Sequence, residues 1–348
     1  MARPRAAYYD LEKFLLETAR SNMTLDIQEI LERDEVSQYS NNNYLWRMCV
    51  KTPRGEETIY VKHARGHNRR AWQKRGKYLA TDPDRICGEY RLLTHLQHAW
   101  GRGYVPEIYY FGPTHCVLVM QDVSQNAHLL IEEFNRGRLH ADLGTVFGKL
   151  FGELHSSTYG AQEDYCGSVK WRKRLTWLFE TWFPHGMRKQ TSSQEVRAFY
   201  TTVASATHSW IWGDAVHRNI FVRTERTRAW PRVSMVDFDH ARTYDPALDN
   251  GMLLAHWAWM SVKSPKFQKE SVKFIRDFWN AYAREFQKRK LGGELPVLRN
   301  RTQKWMGIYL VSRTDGRSGS YFKDFPAWEK RIRHLGVELF REKTSLLR

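Results

Sequence analysis

Cysteine is scarce. The 348 residues carry four, Cys49, Cys87, Cys116 and Cys166, and no two stand at a C-x-x-C spacing. That excludes a zinc ribbon and a thioredoxin-like redox pair and argues against a disulfide framework, so a reducing, cytoplasmic setting is expected. Long apolar runs are missing too. The longest uncharged stretch, Ala198–Gly213, is 16 residues laced with Thr, Ser and His, whereas a membrane span takes about 20 mostly apolar residues. Behind the basic start Met-Ala-Arg-Pro-Arg, Asp10, Glu12 and Lys13 interrupt any apolar segment, so no secretory signal is expected. There is no repeat of fixed period. The histidines include no His-Glu-x-x-His, and Ser156-Ser157 and Ser318-Gly319-Ser320 lie in no Gly-x-Ser-x-Gly elbow. Zinc-protease and α/β-hydrolase chemistry therefore have no support.

What is present points to a folded, two-lobed chain. Hydrophobic residues make up 42% and aromatics 14%, enough apolar surface to exclude wholesale disorder. The length fits about two domains or lobes. The net charge of +17 is uneven: residues 251–348 hold 21 Lys and Arg against 9 Asp and Glu. Such a region attracts phosphates, nucleic acid or anionic lipid. Its charges are spread through helical patterns such as Ser271–Lys290, which reads equally as solvated helix faces.

Periodicity outlines the organisation. Leu11, Phe14, Leu15 and Ala19 form one helical stripe. Tyr44–Val50 and Thr58–His63 flank a turn at Thr52-Pro53-Arg54-Gly55, a hairpin pattern. A helix is expected around Asp84–Trp100, capped by Asp82 with Pro83 in its first turn. The runs Glu107–Phe111 and Cys116–Met120 read as strands about Gly112-Pro113. From Leu129 onward the pattern is mostly helical, with short strands and loops at 210–244. The fold class is thus α+β, a β-rich first third followed by a largely helical remainder.

The chemistry is concentrated in Trp212-Gly213-Asp214-Ala215-Val216-His217-Arg218-Asn219-Ile220-Phe221-Val222. Eighteen residues after Asn219 comes Asp237-Phe238-Asp239, and then Asp245-Pro246-Ala247-Leu248-Asp249. Phosphoryl transfer needs a carboxylate to orient and deprotonate the acceptor hydroxyl, and hard oxygen ligands to hold Mg²⁺ on the phosphates. Asp214 suits the first role. Asn219 and Asp237 suit the second, with Asp239 a further carboxylate. The runs Ile220–Val222 and Val233–Val236 read as a strand pair that brings these groups together. An Asp and an Asn five apart, then Asp-Phe-x on the returning strand, is the kinase order.

These segments resemble the aminoglycoside phosphotransferase and choline kinase superfamily, whose pattern is His-Gly-Asp-x-His-x-x-Asn, Ile-Asp-Phe-(Gly/Glu), Asp-Pro-Ala-x-Asp. Gly213-Asp214, Asn219, Asp237-Phe238 and Asp245-Pro246-Ala247-x-Asp249 fall in register. Asp239 is similar to the acidic residue that choline kinase and methylthioribose kinase carry there. Trp212 and Val216 stand where the family has histidines, and His217 follows one place later. The resemblance implies a strand lysine on the α and β phosphates, which matches Lys62, and a helix glutamate bracing it, which matches Glu89. It implies a hinge at Val117-Leu-Val-Met120-Gln121-Asp122-Val123, with backbone groups of Gln121 and Val123 on the adenine edge. In the phosphate-covering turn near Glu35–Arg47, which has no glycine, Ser40 and Asn41 are the implied phosphate contacts. Asn accepts left-handed backbone better than most residues.

The resulting expectation is a bilobal, protein-kinase-like fold. A nucleotide-binding lobe spans 1–120, a small antiparallel β lobe with one main helix. A hinge spans 121–124, and a helical catalytic and substrate-binding lobe spans 125–348. The expected activity is ATP- and Mg²⁺-dependent phosphorylation of a small-molecule hydroxyl, with GTP open as donor and a neutral or anionic acceptor such as a sugar or antibiotic. Two alternatives stay open: a nucleotide-binding pseudokinase or interaction protein, and a kinase-like protein whose basic C-terminal region contacts RNA or anionic membrane. Of the tryptophans, Trp171, Trp177, Trp182, Trp257, Trp259 and Trp279 read chiefly as core and secondarily as pocket walls.

Overall fold

The computed structural model describes residues 13–19, 22–36, 42–66, 68, 81–162, 168–225, 227, 231–315 and 326–347. Ser40 and Asn41, the start of the N-terminal helical stripe and Cys166 lie outside them.

A five-stranded antiparallel sheet of order β1-β2-β3-β5-β4 forms the smaller lobe. It comprises β1 (Glu29–Glu35), β2 (Asn43–Thr52), β3 (Gly55–Ala64), β4 (Ile108–Gly112) and β5 (Val117–Gln121). The hairpin closes with Thr52 opposite Gly55, and Gly55 takes φ +116°, a left-handed value that glycine accepts without strain. Strand alternation sorts the faces. Ile59, Val61, Val117 and Val119 join Phe14, Leu15, Leu25 and Ile27 in one core, while Leu118 and Met120 join the other. Lys62, next to Val61, therefore emerges on the helix side.

That helix, α1 (Arg85–Trp100), buries Ile86, Leu92, Leu93, Leu96 and Trp100. Its N-terminus corrects the capping expectation. The N-cap residue is Asp84, without a side-chain cap, because the Asp82 carboxylate accepts from the Asp84 N–H at 3.0 Å and so serves the turn before the helix. Tyr90 stacks on Phe111 with ring centroids 4.0 Å apart.

Beyond Gln121 the chain runs into the larger lobe. The short β6 (His128–Leu129), β8 (Ile220–Val222) and β9 (Val233–Met235) form one sheet, and β7 (Ser209–Ile211) pairs with β10 (Arg242–Tyr244). The expected strand pair at 220 and 233 is present, with Ile220 opposite Met235. Around these strands lie α2 (Leu130–Asn135), α3 (Gly144–Ser157), α4 (Val169–Trp177), α5 (His185–Gln190) and α6 (Ser193–Ala204). The C-terminal part adds α7 (Ala247–Lys263), α8 (Pro265–Lys288), α9 (Leu295–Thr314) and α10 (Pro326–Phe340). Trp257 is core, stacked on Phe274 at 3.5 Å, whereas Trp177 is exposed. Among the described residues no helix is long and apolar enough to cross a membrane.

Candidate active site

The loop from β7 to β8 carries Asp214 and Asn219, and the loop from β9 to β10 carries Asp237–Asp239. The two loops meet Lys62 of β3 and Glu89 of α1 at the junction of the lobes. Lys62 is buried, and its Nζ lies 2.7 Å from Glu89 Oε2, 2.8 Å from Asp237 Oδ1 and 2.9 Å from Asp239 Oδ1. Glu89 also accepts from the Phe238 N–H at 3.2 Å. Burial opposes charge on Lys62, but Asp237, Asp239 and Glu89 outweigh it and hold the ammonium well above its ordinary pKa. With three carboxylates gathered on it, the most enclosed one yields: burial pushes the Glu89 carboxyl up to about 8 against the pull of Lys62.

Asp214 is half-buried, and the Asn219 Nδ2 donates to its Oδ2 at 3.0 Å and to its carbonyl at 3.1 Å. These donations orient the amide, so Asn219 Oδ1 is the end left for a cation. Burial raises the Asp214 pKa, with His240 and Arg313 pulling it down and Asp237 pushing it up. Asp237 has a left-handed backbone, φ +62°, a conformation that Asp tolerates better than most residues. Its side chain is 44% exposed, so it offers a carboxylate to the cleft. Glu89, Asp237 and Asp239 form a cluster able to hold a metal ion. The chemistry of this donor set, hard oxygens beside a lysine, fits Mg²⁺ with a phosphate ester.

Asp249, quoted in the sequence pattern without a role, supports the catalytic loop. Its carboxylate accepts from the N–H groups of Trp212 at 2.6 Å and Gly213 at 2.8 Å, and pairs with His155 at 3.3 Å. Gly213 has φ +78°, and a Cβ there would overlap the His240 carbonyl. Trp212 in place of the usual histidine keeps the loop supported: its indole N–H donates to the Asp237 carbonyl at 2.8 Å, and its ring stacks on Phe238 at 5.0 Å. His217 is buried, its ring 4.2 Å from His256 and 5.6 Å from Trp259. Asp245 is anchored by Arg301 Nε at 3.1 Å and by the Trp305 indole at 3.2 Å.

A profile of the phosphotransferase enzyme family matches residues 77–291, more than half of the chain. The chain belongs to this family. Membership bears out the expected class of enzyme, a phosphotransferase acting on small-molecule hydroxyls. No curated protein sequence matches. Among solved structures, an ethanolamine kinase from Plasmodium vivax is similar at 12% identity, over 99% of this chain and 92% of its own, with a TM-score of 0.54. A choline kinase from Cryptosporidium parvum Iowa II is similar at 10% identity, over 95% of each chain, with a TM-score of 0.55. These likenesses show the fold, the bilobal kinase-like α+β architecture.

Two of the expected site residues also have structural partners. The Gln121 N–H donates to the Glu107 carbonyl at 2.8 Å, and the Asp122 N–H to Thr58 at 3.3 Å. The Gln121 N–H thus belongs to the sheet. Asp239, expected to ligate metal, stands in the metal-capable cluster with Glu89 and Asp237 and is also tied into a buried network with Asn43 and Arg85. Sequence reading missed both partners, since an arginine opening a helix and an asparagine opening a strand look like ordinary surface residues.

Proposed function

We propose that this phosphotransferase transfers the γ-phosphoryl group of ATP to a hydroxyl of a small neutral or anionic molecule, with Mg²⁺. The observation that supports it most is the convergence of a buried, triply paired Lys62 with the Asp214–Asn219 pair at the junction of the lobes. Lys62, braced by Glu89, grips the non-transferred phosphates, with Ser40 and Asn41 covering them. Val123 takes the adenine edge, its neighbours' amides being engaged elsewhere. Asp237 and Asn219 Oδ1 hold Mg²⁺, which supplies charge neutralisation on the phosphates when bound. Asp214 orients the acceptor hydroxyl and accepts its proton.

The acceptor class rests on charge. The permanent cation that lowers the Asp214 pKa is Arg313. Arg313 donates to the Tyr309 hydroxyl at 2.6 Å, and that hydroxyl lies 3.3 Å from His256. A polycationic acceptor meets repulsion from Arg313, whereas a sugar or an anion does not.

Thermal stabilisation by ATP and by GTP, with and without Mg²⁺, tests the nucleotide site. The wild type should gain Mg²⁺-dependent stability that Asp237→Asn loses. No gain with either nucleotide overturns the reading. An acceptor panel followed by mass spectrometry tests the second half, and phosphorylation of polycationic aminoglycosides alone overturns the acceptor class.

A further inference from the structure

Asp239 lies two residues past Asp237, and its carboxylate is engaged from three sides. Its Oδ1 is 2.9 Å from Lys62 Nζ. Its Oδ2 accepts from Asn43 Nδ2 at 2.8 Å and faces Arg85 Nε at 3.4 Å. The Asn43 amide is held at both ends, because its Oδ1 accepts from Arg85 Nη2 at 2.7 Å. Arg85 donates further to the carbonyls of Arg65 at 3.0 Å and Asp82 at 2.7 Å, and the Trp171 indole donates to the Asp239 carbonyl at 2.9 Å. Asn43, Arg85 and Asp239 are all buried. They come from the start of β2, the start of α1 and the loop after β9, so the network joins the small-lobe sheet, the small-lobe helix and the large lobe.

Two features separate this carboxylate from that of Asp237. Both its oxygens face cations, so a divalent ion on Asp239 sits against the charges of Lys62 and Arg85. Asp237 is the more exposed of the two, at 44% against 7% for the side chain. Moreover, Asn43 is the first residue of β2.

We propose that Asp239 is a positioning residue, not a metal ligand: one carboxylate fixes the reach of Lys62 and, through Asn43 and Arg85, ties the starts of β2 and α1 to the large lobe. Breaking a buried, charged network is costly, because it leaves charged groups without their partners.

Two experiments test it, and only the second rests on the nucleotide reading. In a thermal double-mutant cycle, Asn43→Ala and Asp239→Asn should be strongly non-additive, the double variant melting no lower than the worse single one. Additive losses overturn the tie. In calorimetry with ADP, Asp239→Asn should weaken binding about tenfold both with and without Mg²⁺, the scale of one charge-assisted hydrogen bond. Asp237→Asn should lose only the Mg²⁺-dependent part. A loss in Asp239→Asn confined to Mg²⁺ conditions makes Asp239 a ligand and overturns the proposal. If Asp239→Asn does not fold, Asn43→Ala, which removes no acidic group, carries the same arm: unchanged ADP affinity overturns the tie. A wild type that binds no ADP defeats the nucleotide reading, and the thermal cycle still decides the tie.

Discussion

Asp214 shows how one side chain trades stability for chemistry. Burial raises its pKa above the ordinary 3.8, so the folded protein binds that proton more tightly than the unfolded chain does. The stabilisation from the bound proton is present at acid pH and lost as pH rises through the raised pKa, leaving a carboxylate that the fold disfavours at neutral pH. Asp214→Asn should therefore lower kcat at least about a hundredfold, the scale of a lost general base, while nucleotide affinity holds. It should also raise Tm at pH 7, by an amount that shrinks toward pH 4. Retained turnover sinks the assigned role, and a lower Tm at neutral pH contradicts the burial argument. Asp214 and Asn219 were legible because their spacing is local. Asn43 and Arg85 were not, since the residue that gives them meaning lies 196 and 154 positions away.

Among the elements, the hairpin, α1 and the catalytic-loop strands follow from short-range pattern. The edge strand β1 does not. Five of its seven residues, Glu29, Glu32, Arg33, Asp34 and Glu35, are charged and exposed, and nothing alternates. Charge on an outer edge discourages pairing with other chains, which also removes the signal by which a strand is read. The α3–α8 pair depends on a feature invisible to periodicity. At Gly148 a Cβ would overlap the Phe278 carbonyl of α8 and approach Ala281 Cβ to 2.9 Å. Alanine is the better helix former by about 1 kcal/mol, yet Gly148→Ala should lower Tm by several degrees, since two packed backbones must separate. A Tm equal to or above the wild type's means that the helices do not meet as closely as described.

For the whole molecule, buried histidines set the response to acid. Burial pushes His256 down to about 3 and His217 well below its usual value, with Arg313 adding to both. Because their folded pKa values are depressed, stability is complete above the unfolded value near 6.5 and is lost as pH falls below it. Tm should therefore drop between pH 7 and 5, and His256→Gln should flatten part of that drop. A Tm independent of pH across this window contradicts the buried, neutral state of these rings. Part of the C-terminal basic charge is paired: Lys273, Lys288 and Lys304 on helices, and Arg341 just past α10, pair with Asp277, Glu285, Glu342 and Glu195.

The order of the proposed site groups was determined by sequence alone, because Asp214, Asn219 and Asp237 stand on two loops joined by short strands. The α+β division was likewise set by the hairpin and helix patterns along the chain. Tertiary structure decided how the carboxylates differ in surroundings. Asp237 and Asp239 are near-equivalent in sequence. Both meet Lys62 of β3, but only the approach of β2 and α1 surrounds one with Arg85 and Asn43 and leaves the other facing the cleft, and pairing across the lobes is a property of packing distance that neighbouring residues do not encode.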